Sequence, residues 1–391
     1  MKNQVSSIVS EFAPKLIEIR RRLHEIPELG NQEHKTTALI AAQLAEAGLT
    51  LRPDIEGTGV IAEIEGADEK IVGLRVDIDA LPIEELTGVS YASKNNGLMH
   101  ACGHDVHTTV GIGVAHVLKA LAEKPPWTVR LLFQPAEELQ PGGSVGFIKQ
   151  GALRNMSAIF GVHVDPGIEV GNIGLKYGPH LASVDVFEIE IFGKGGHAAH
   201  PHLAVDSIYI AAKAVTALQS IPARNIDPVK PAVLTVTSIH GGRAKNIIPE
   251  SVKLAGTIRT LDNGVRAEIP ELMKRVLAGV TQAFGGDFTI ELTRGSSVLV
   301  NDKVCTQVFQ KAATELLGEK HVQIIQVPRM GSEDFANYLD HIPGAMMRLG
   351  VSSSAETSHS LHSPYFNIDE SAIPIGVEVL VRTLLDYMKV G

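Results

Sequence analysis

The stretch LMHACGHDVH, residues 98–107, concentrates side chains that can bind metals or react. It holds three histidines, an aspartate and Cys102, which is one of only two cysteines in a chain of 391 residues. Such a group serves three kinds of site: a cysteine nucleophile with a histidine base, a structural zinc ion, or a metal ion that takes part in catalysis. The rest of the sequence has to discriminate between them.

The first two kinds of site fit poorly. A cysteine nucleophile requires a histidine base that a third group orients, whereas His104 lies only two residues from Cys102, a spacing that suits joint chelation. A structural zinc site usually closes with four ligands, often from paired cysteines, but the other cysteine is the distant Cys305. The PCxxC motif of zinc deaminases is absent. The remaining possibility is a catalytic metal ion with cysteine, histidine and carboxylate ligands.

Further polar residues follow short apolar segments that have the composition of buried strands. They are Asp77 and Asp79 after the first segment, Glu137 and Glu138 after the second, His163 and Asp165 at the end of the third, and His362 in a loop near the C-terminus. Ligands of an open α/β sheet bind beyond the carboxyl ends of its strands, so we expect these residues at one edge. In the pair Glu137–Glu138, one carboxylate can bind metal while its neighbour moves a proton.

The elements that must position these residues alternate between helices and apolar strands. The predicted helices are 10–25, 36–47, 108–121, 303–317 and 372–389, and the predicted strands are 71–78, 128–133, 158–164, 322–327 and 345–349. Near-continuous apolar strands that alternate with helices are typical of a mostly parallel sheet covered on both faces. The sequence therefore predicts an α/β catalytic domain built from residues 1–181 and 295–391.

Residues 182–294 have a different pattern. The segment VFEIEIFG alternates apolar and acidic residues, as a strand with one solvated face does. A helix, two further strands, a second helix and a last strand follow, which gives the βαββαβ order of a ferredoxin-like unit. We expect an inserted lid and dimerisation domain, whose open sheet edge allows a homodimer or a dimer of dimers.

Composition excludes several classes of protein. The formal net charge of −9 argues against nucleic acid or an anionic membrane as the main partner. The N-terminus lacks the pattern of a secretory signal, and no apolar run approaches the roughly 18 residues of a membrane span. The scarcity of cysteine favours the reducing cytoplasm. We expect a cytoplasmic protein that acts on small molecules.

The sequence resembles the metal-dependent amidohydrolases and carboxypeptidases that include the aminoacylases. Within them it is similar to the branch of hippurate hydrolase, N-acetyl-diaminopimelate deacetylase and the indole-acetyl-amino-acid hydrolases. The motifs that carry the resemblance run along nearly the whole chain in the order RRRLHEIPELGNQE, RVDIDALP, MHACGHDVHT, FQPAEE, GVHV, GKGGHAAHPH, NIIPESVKLAGTIRT, MGSEDFANY and LHSPYFNIDE.

The resemblance implies two divalent metal ions, Mn²⁺ or Zn²⁺ in the first place and Co²⁺ or Ni²⁺ as alternatives. The implied ligands are Cys102, His104, Glu138, His163 and His362, with the thiolate of Cys102 between the two ions. Glu137 is the implied general acid and base. The wider family has a ligating histidine where this sequence has Asp77, so we expect neither Asp77 nor Asp79 to bind metal. Asp79 is expected to hydrogen-bond a ligand instead.

The resemblance also assigns residues of the inserted domain. His197 is the implied donor to the oxyanion of the intermediate, acting on the site of a partner subunit. Asn246 and Arg259 are the candidates for binding a substrate carboxylate, also across the subunit interface. The implied function is hydrolysis of the amide bond of N-acyl-L-amino acids. The alternatives are a dipeptidase or carboxypeptidase on the same site, or a catalytically silent binding protein with this fold.

Overall fold

The computed structural model describes residues 2–391. The helices are α1 (Lys2–His24), α2 (His34–Glu46), α3 (His104–Ala120), α4 (Gly143–Lys149), α5 (Ser207–Leu218), α6 (Asn263–Ala283), α7 (Lys303–Leu317), α8 (Ala336–Leu339) and α9 (Ala372–Tyr387). Along the described chain, no helix combines the length and the apolar character needed to span a membrane.

The strands, in chain order, are β1 (Val60–Ile64), β2 (Asp68–Asp77), β3 (Trp127–Gln134), β4 (Met156–Glu169), β5 (Ile173–Leu175), β6 (Gly178–Leu181), β7 (Ser183–Phe192), β8 (Gly196–His197), β9 (Ala232–Gly241), β10 (Ile247–Ile248), β11 (Ser251–Thr260), β12 (Asp287–Arg294), β13 (Leu299–Asn301), β14 (Val322–Ile324) and β15 (Gly344–Ser352).

The chain divides into two compact units. The first unit comprises residues up to 178 together with 300–327 and 334–391, and the second comprises residues 179–299 and 328–333. Residues 328–333 lie far along the chain from the rest of the second unit and within the stretch that we expected to belong to the catalytic domain.

The first unit contains a seven-stranded sheet in the order β1-β3-β2-β4-β15-β5-β14. The four central strands β3, β2, β4 and β15 are parallel to one another, and β1 joins the edge of β3 in antiparallel fashion. Helices α1, α3, α7 and α9 pack together, and buried apolar residues of the sheet and these helices form one core. The predicted mostly parallel α/β fold is confirmed.

The second unit contains a four-stranded antiparallel sheet in the order β12-β7-β11-β9. Its elements follow one another as strand, helix, strand, strand, helix, strand. Phe187, Ile189 and Ile191 of β7 are buried in a separate core with apolar residues of α5 and α6. The alternating pattern of VFEIEIFG thus gives a strand that buries one face, as the sequence predicts, and the βαββαβ order is present.

Several boundaries differ from the sequence prediction for identifiable reasons. Helix α1 begins at Lys2 because Val5 and Val9, both buried, extend its apolar stripe toward the N-terminus. Helix α3 begins at His104 rather than at Thr108. The strand β1 was not predicted, since its five residues form only one short edge of the sheet.

Candidate metal centre and active site

The carboxyl ends of the central strands bring the polar residues of the first unit to one level. Asp77, the last residue of β2, pairs with Gln134, the last residue of β3. On the other side of β2, Arg75 pairs with Gly161 of β4, so His163 lies two residues further, level with Asp77. Strand β4 continues past this level to Glu169. His163 therefore lies within the long strand β4, at the level where strands β2 and β3 end.

The motif HACGHDVH turns sharply into helix α3 at this edge. Gly103 has a φ of +79° and lies just before the helix. A Cβ at this position would approach Cγ2 of Val164 to 2.6 Å, so only glycine fits. The turn leaves Cys102 in the loop and His104 as the first residue of the helix, both of them buried.

The predicted ligands of the first unit come together around Cys102. Three groups consist only of these ligands and Glu137, and within each group all candidate ligand atoms lie within 4.8 Å of one another. They are Cys102, His104 and His163; Cys102, Glu138 and His362; and His104, Glu137 and Glu138. The thiol of Cys102 lies 3.6 Å from Nε2 of His163. The structure thus brings all five predicted ligands and Glu137 to one place.

The candidate ligands suit a cation, because two of their buried atoms lack a well-oriented hydrogen bond within the protein. Nε2 of His104 is buried and has no hydrogen-bond partner, and Oε1 of Glu138 is buried without a well-oriented hydrogen bond. Buried polar atoms are almost always satisfied in folded proteins. A divalent cation bound by thiolate, imidazole and carboxylate would satisfy both atoms.

The protonation of the metal-free group is set mainly by burial. Burial raises the pKa of the Cys102 thiol to about 12. Burial, together with the nearby Arg348, lowers the pKa of His163 well below its usual value. Burial also opposes the charged form of His104, but Asp77, Cys102 and Asp79 together outweigh burial and raise the pKa of that ring well above its usual value. Binding of a divalent cation by the Cys102 thiol would require loss of its proton.

Asp79 connects two of the candidate ligands. Its Oδ1 lies 3.2 Å from Nδ1 of His104, and its backbone oxygen lies 2.9 Å from the same nitrogen. Its Oδ2 accepts a hydrogen bond from the backbone N–H of Glu138 at 3.0 Å. The contact that the sequence predicted for Asp79 is present. It turns Nε2 of His104 toward the cluster.

His107 belongs to the same motif but is fully engaged in supporting contacts. Its Nε2 accepts a hydrogen bond from the backbone N–H of Val164 at 2.8 Å, so Nδ1 carries the proton and donates it to Oδ1 of Asp77 at 2.6 Å. Asp77 also accepts from Arg75 at 2.8 Å. These contacts link β2, α3 and β4 behind the candidate ligands.

His362 supplies the solvent-facing side of the cluster. Its side chain is 52% exposed, and its Nε2 lies 3.2 Å from Oε1 of Glu138. The neighbouring Glu138 carboxylate raises the pKa of His362. The residue has a φ of +64°, and its backbone N–H donates to the oxygen of Ala101 at 2.8 Å. The cluster is thus open to solvent beside this ring.

The loop that carries Glu137 and Glu138 is held from several directions. The backbone N–H of Asp334 donates to Oε1 of Glu137 at 3.3 Å. The carboxylate of Asp334 accepts from Gln134, from the backbone of Ser144 and from the fully buried Arg75. Sequence reasoning assigned no role to Arg75 or Asp334, although both lie within motifs that it identified.

The remaining predicted residues lie in the second unit. His197 is exposed, and its backbone pairs with Ile247. The backbone N–H of Ala199 donates to Nδ1 of His197 at 3.0 Å. This bond fixes the proton of the neutral ring on Nε2, which is left as a donor toward solvent. Asn246 lies beside this loop, since its backbone oxygen accepts from Ala198 at 3.0 Å.

Arg259 lies far from these two residues within the same unit. Its guanidinium is half-buried and donates to the backbone oxygen of Met330 at 3.2 Å and to Oγ of Ser332 at 3.3 Å. Burial lowers its pKa. His197 and Asn246 adjoin the start of β11, whereas Arg259 is near its end. Eight residues of extended strand span roughly 26 Å, so the two groups occupy opposite ends of the sheet.

Comparison with known proteins agrees with this architecture. The profile of peptidase family M20/M25/M40 matches residues 73–386. An N-acetyl-L-cysteine deacetylase of Bacillus subtilis is 43% identical over 367 residues, 93% of this chain and 86% of the relative. An IAA-amino acid hydrolase of Arabidopsis thaliana is 36% identical over 384 residues, 97% of this chain and 87% of the relative.

A solved structure extends the comparison to the fold. The YXEP protein of Bacillus subtilis, described as a dinuclear metal binding peptidase, has a TM-score of 0.85 and 35% identity, with 97% of this chain and 99% of that chain covered. The chain belongs to peptidase family M20/M25/M40. It is a metal-dependent amidohydrolase, as the sequence predicts.

Proposed function

We propose that the protein hydrolyses the amide bond of N-acyl-L-amino acids and releases a carboxylic acid and an amino acid. The observation that carries this proposal is the position of Glu137. A carboxylate oxygen of Glu137 lies within 4.8 Å of candidate ligand atoms of His104 and Glu138, while the two groups around Cys102 are complete without it. A carboxylate beside a metal-ligand cluster can move the protons of a hydrolysis.

The residues that would hold two divalent ions are Cys102, His104, Glu138, His163 and His362. Cys102 would be the ligand common to the two ions, because its sulfur lies within 4.8 Å of a candidate ligand atom of each of the other four residues. When bound, such a metal pair acidifies a water molecule and polarises the substrate carbonyl. Mn²⁺ and Zn²⁺ are the first choices, with Co²⁺ and Ni²⁺ next, because a mixed set of thiolate, imidazole and carboxylate ligands suits transition metals better than Mg²⁺ or Ca²⁺, which take oxygen ligands.

Glu137 acts as the general base and then as the general acid. Its carboxylate takes the proton of the attacking water and delivers it to the leaving nitrogen, so that the amine departs neutral. The backbone N–H of Asp334 holds one carboxylate oxygen at 3.3 Å. This contact restricts the side-chain rotation that would otherwise carry Glu137 away from the reacting atoms.

His197 supplies the donor for the oxyanion of the tetrahedral intermediate. The hydrogen bond from Ala199 to Nδ1 supports this role, because it leaves Nε2–H free to donate from a neutral ring. A neutral donor needs no proton from solvent before it can bind the developing charge. The ring is exposed, so it is accessible to a substrate bound on another subunit.

The separation along β11 supports a site completed by two subunits. If both His197 and Arg259 contact one small N-acyl-amino acid, the roughly 26 Å between their ends of the strand is too long for a single copy to supply both. A homodimer or dimer of dimers through the second unit resolves this, because the two groups of residues can then come from different copies. A cytoplasmic location is part of the proposal, and the two free, buried cysteines support it.

A substrate panel on metal-free and metal-loaded protein tests the function. We expect Mn²⁺- or Zn²⁺-loaded protein to release acid from N-acetyl-L-cysteine, N-benzoylglycine or an IAA-amino acid, and EDTA-treated protein to release none. Faster cleavage of dipeptides with a free α-amino group would instead identify a dipeptidase. Tight binding of these compounds without any turnover would identify a silent binding protein.

A further inference from the structure

We propose that Glu33 is a positioning residue for the general base, because it fixes the backbone turn that presents Glu137 and Glu138. This inference rests on the proposed function for its catalytic consequence, while its structural part can be tested independently. Glu33 is fully buried and lies just before helix α2, 103 residues from the loop it contacts.

The contact that carries the inference involves Ala136, the residue immediately before Glu137. Oε1 of Glu33 accepts a hydrogen bond from the backbone N–H of Ala136 at 2.8 Å. Ala136 has a φ of +55°, in the left-handed region that residues with a Cβ rarely adopt. Such a conformation persists only when surrounding contacts hold it. The bond from Glu33 is one of those contacts, since it fixes the amide on the N-terminal side of the strained residue.

The second oxygen of Glu33 is also anchored. Oε2 accepts from Oγ1 of Thr58 at 2.6 Å, and Thr58 is itself buried. Both oxygens of Glu33 are thus engaged. One binds Thr58, just before β1, and the other binds the loop that carries Glu137. Because the hydrogen bond from Thr58 holds the carboxylate in place, the carboxylate restrains the backbone of Ala136 rather than moving with it.

Glu33 is at the N-cap position of helix α2, but Glu28 caps the helix instead. A residue that precedes a helix often caps it with its side chain, yet Glu33 makes no such bond to α2. Glu28 does so instead, accepting from the backbone N–H groups of Lys35 and Thr36 at 3.1 and 2.9 Å. The carboxylate of Glu33 is therefore free to serve the loop, and Glu28 is a matched carboxylate that serves only the helix.

Loss of the Glu33 contact should release the turn at Ala136 and spread Glu137 over several orientations. A displacement of about 1 Å at a catalytic group can cost about a hundredfold in rate. We expect Glu33→Ala to lower kcat by about ten- to a hundredfold, with KM for N-acetyl-L-cysteine unchanged. Bound metal should also be unchanged, because Asp79 still holds the backbone N–H of Glu138 at 3.0 Å. Glu33→Gln keeps an oxygen for Ala136 and an amide for Thr58, and should restore kcat.

The experiment compares wild type, Glu33→Ala, Glu33→Gln and Glu28→Ala in two assays. The first measures kcat, KM and metal content of the Mn²⁺-loaded enzymes. The second measures deuterium uptake at the amide of Ala136 in the metal-free proteins, which is independent of any substrate. Faster uptake in Glu33→Ala, wild-type uptake in Glu33→Gln, and a lower Tm without faster uptake in Glu28→Ala are expected. If Glu33→Ala does not fold, Glu33→Asp, too short to reach both partners, takes its place.

Two outcomes would overturn the inference. One is unchanged uptake at Ala136 in Glu33→Ala, and the other is an equal loss of kcat in Glu33→Ala and Glu28→Ala, which would make Glu33 a general stability residue. If wild type hydrolyses nothing in the substrate panel, the proposed function fails. The exchange measurement would then still decide whether Glu33 holds the turn.

Discussion

The thiol of Cys102 faces Nε2 of His163 at 3.6 Å, although the two residues come from a loop before α3 and from the interior of β4. We expect Cys102→Ala and His163→Ala to lose bound metal and turnover and to keep a native circular dichroism spectrum. Metal analysis of the purified variants checks this. Cys305→Ala is the matched control, because Cys305 is buried in an apolar core and should keep full metal content. Full metal content and activity in Cys102→Ala would refute the assignment.

Glu137 should be separable from the metal ligands. Glu137→Gln removes the proton shuttle and leaves the five ligands, so both metal ions should remain while kcat falls by about 10²–10⁴-fold. Parallel metal analysis and steady-state kinetics test this expectation. A variant within tenfold of wild type would mean that another group moves the proton.

Asp79→Asn should weaken metal binding without removing a ligand. The aspartate accepts from both Nδ1 of His104 and the backbone N–H of Glu138, and an asparagine offers one oxygen and one N–H₂ group to these two donors. In the variant, one of the two contacts would bring two N–H donors together. Loss of a hydrogen bond that orients a metal ligand typically costs about 10- to 100-fold in metal affinity. Competition with a chromophoric chelator measures the change. Asp54→Asn is the control, because Asp54 is exposed, and it should leave metal affinity unchanged.

Arg75 should contribute more to stability than an exposed arginine. It is fully buried and bonds Asp77, Gln134 and Asp334. Arg75→Ala leaves two buried carboxylates without this partner, a change that typically costs about 3–5 kcal/mol. Urea denaturation of the metal-free protein measures the free energy of unfolding. The control is Arg275→Ala, because Arg275 is exposed on helix α6 and its loss should change stability by less than about 1 kcal/mol.

Complementation tests whether His197 acts across a subunit interface. Glu137→Gln and His197→Ala should each be inactive or nearly so, since loss of one oxyanion donor typically costs about 10²–10³ in rate. A hetero-dimer of the two variants would contain one site with an intact Glu137 and an intact His197. We expect up to half of the wild-type activity per hetero-dimer, measured on species purified with two affinity tags. Verified hetero-dimers that are no more active than the parents would place His197 within its own chain's site or outside the reaction.

The sequence could predict that the polar residues of the candidate cluster meet at one edge of the sheet, because most of them follow a recognisable strand or lie in a dense motif. The choice of ligands among them rests on the family resemblance. The apolar runs that end near Asp77, Gln134 and Val164 predict where three strands meet one edge, and the structure has these strands in register there. Helix α7 has the bounds predicted for it, 303–317. In the structure, Asp302 caps its start by accepting from the backbone N–H of Cys305, and Gly318 follows its last residue.

The supporting contacts could not be predicted in the same way. Asp334 and Arg75 are 259 residues apart, and Glu33 and Ala136 are 103 residues apart. No local periodicity or spacing relates two such residues, because their partnership arises only when separate strands and loops meet. The left-handed φ of Ala136 is likewise invisible in the sequence, since alanine rarely adopts it.

The chain passes between its two units four times, and the last pair of crossings encloses only residues 328–333. This short segment binds within the second unit: Ala182 donates to the backbone oxygens of Arg329 and Gly331 at 3.2 and 2.8 Å, and Arg259 donates to Met330. A fragment cut at residues 179 and 299 would therefore lack one of its own structural pieces. Protein engineers who exchange this unit between homologous enzymes to alter specificity must transplant two separate stretches of sequence, because a single cassette would carry Arg259 without the backbone oxygen to which it is bonded.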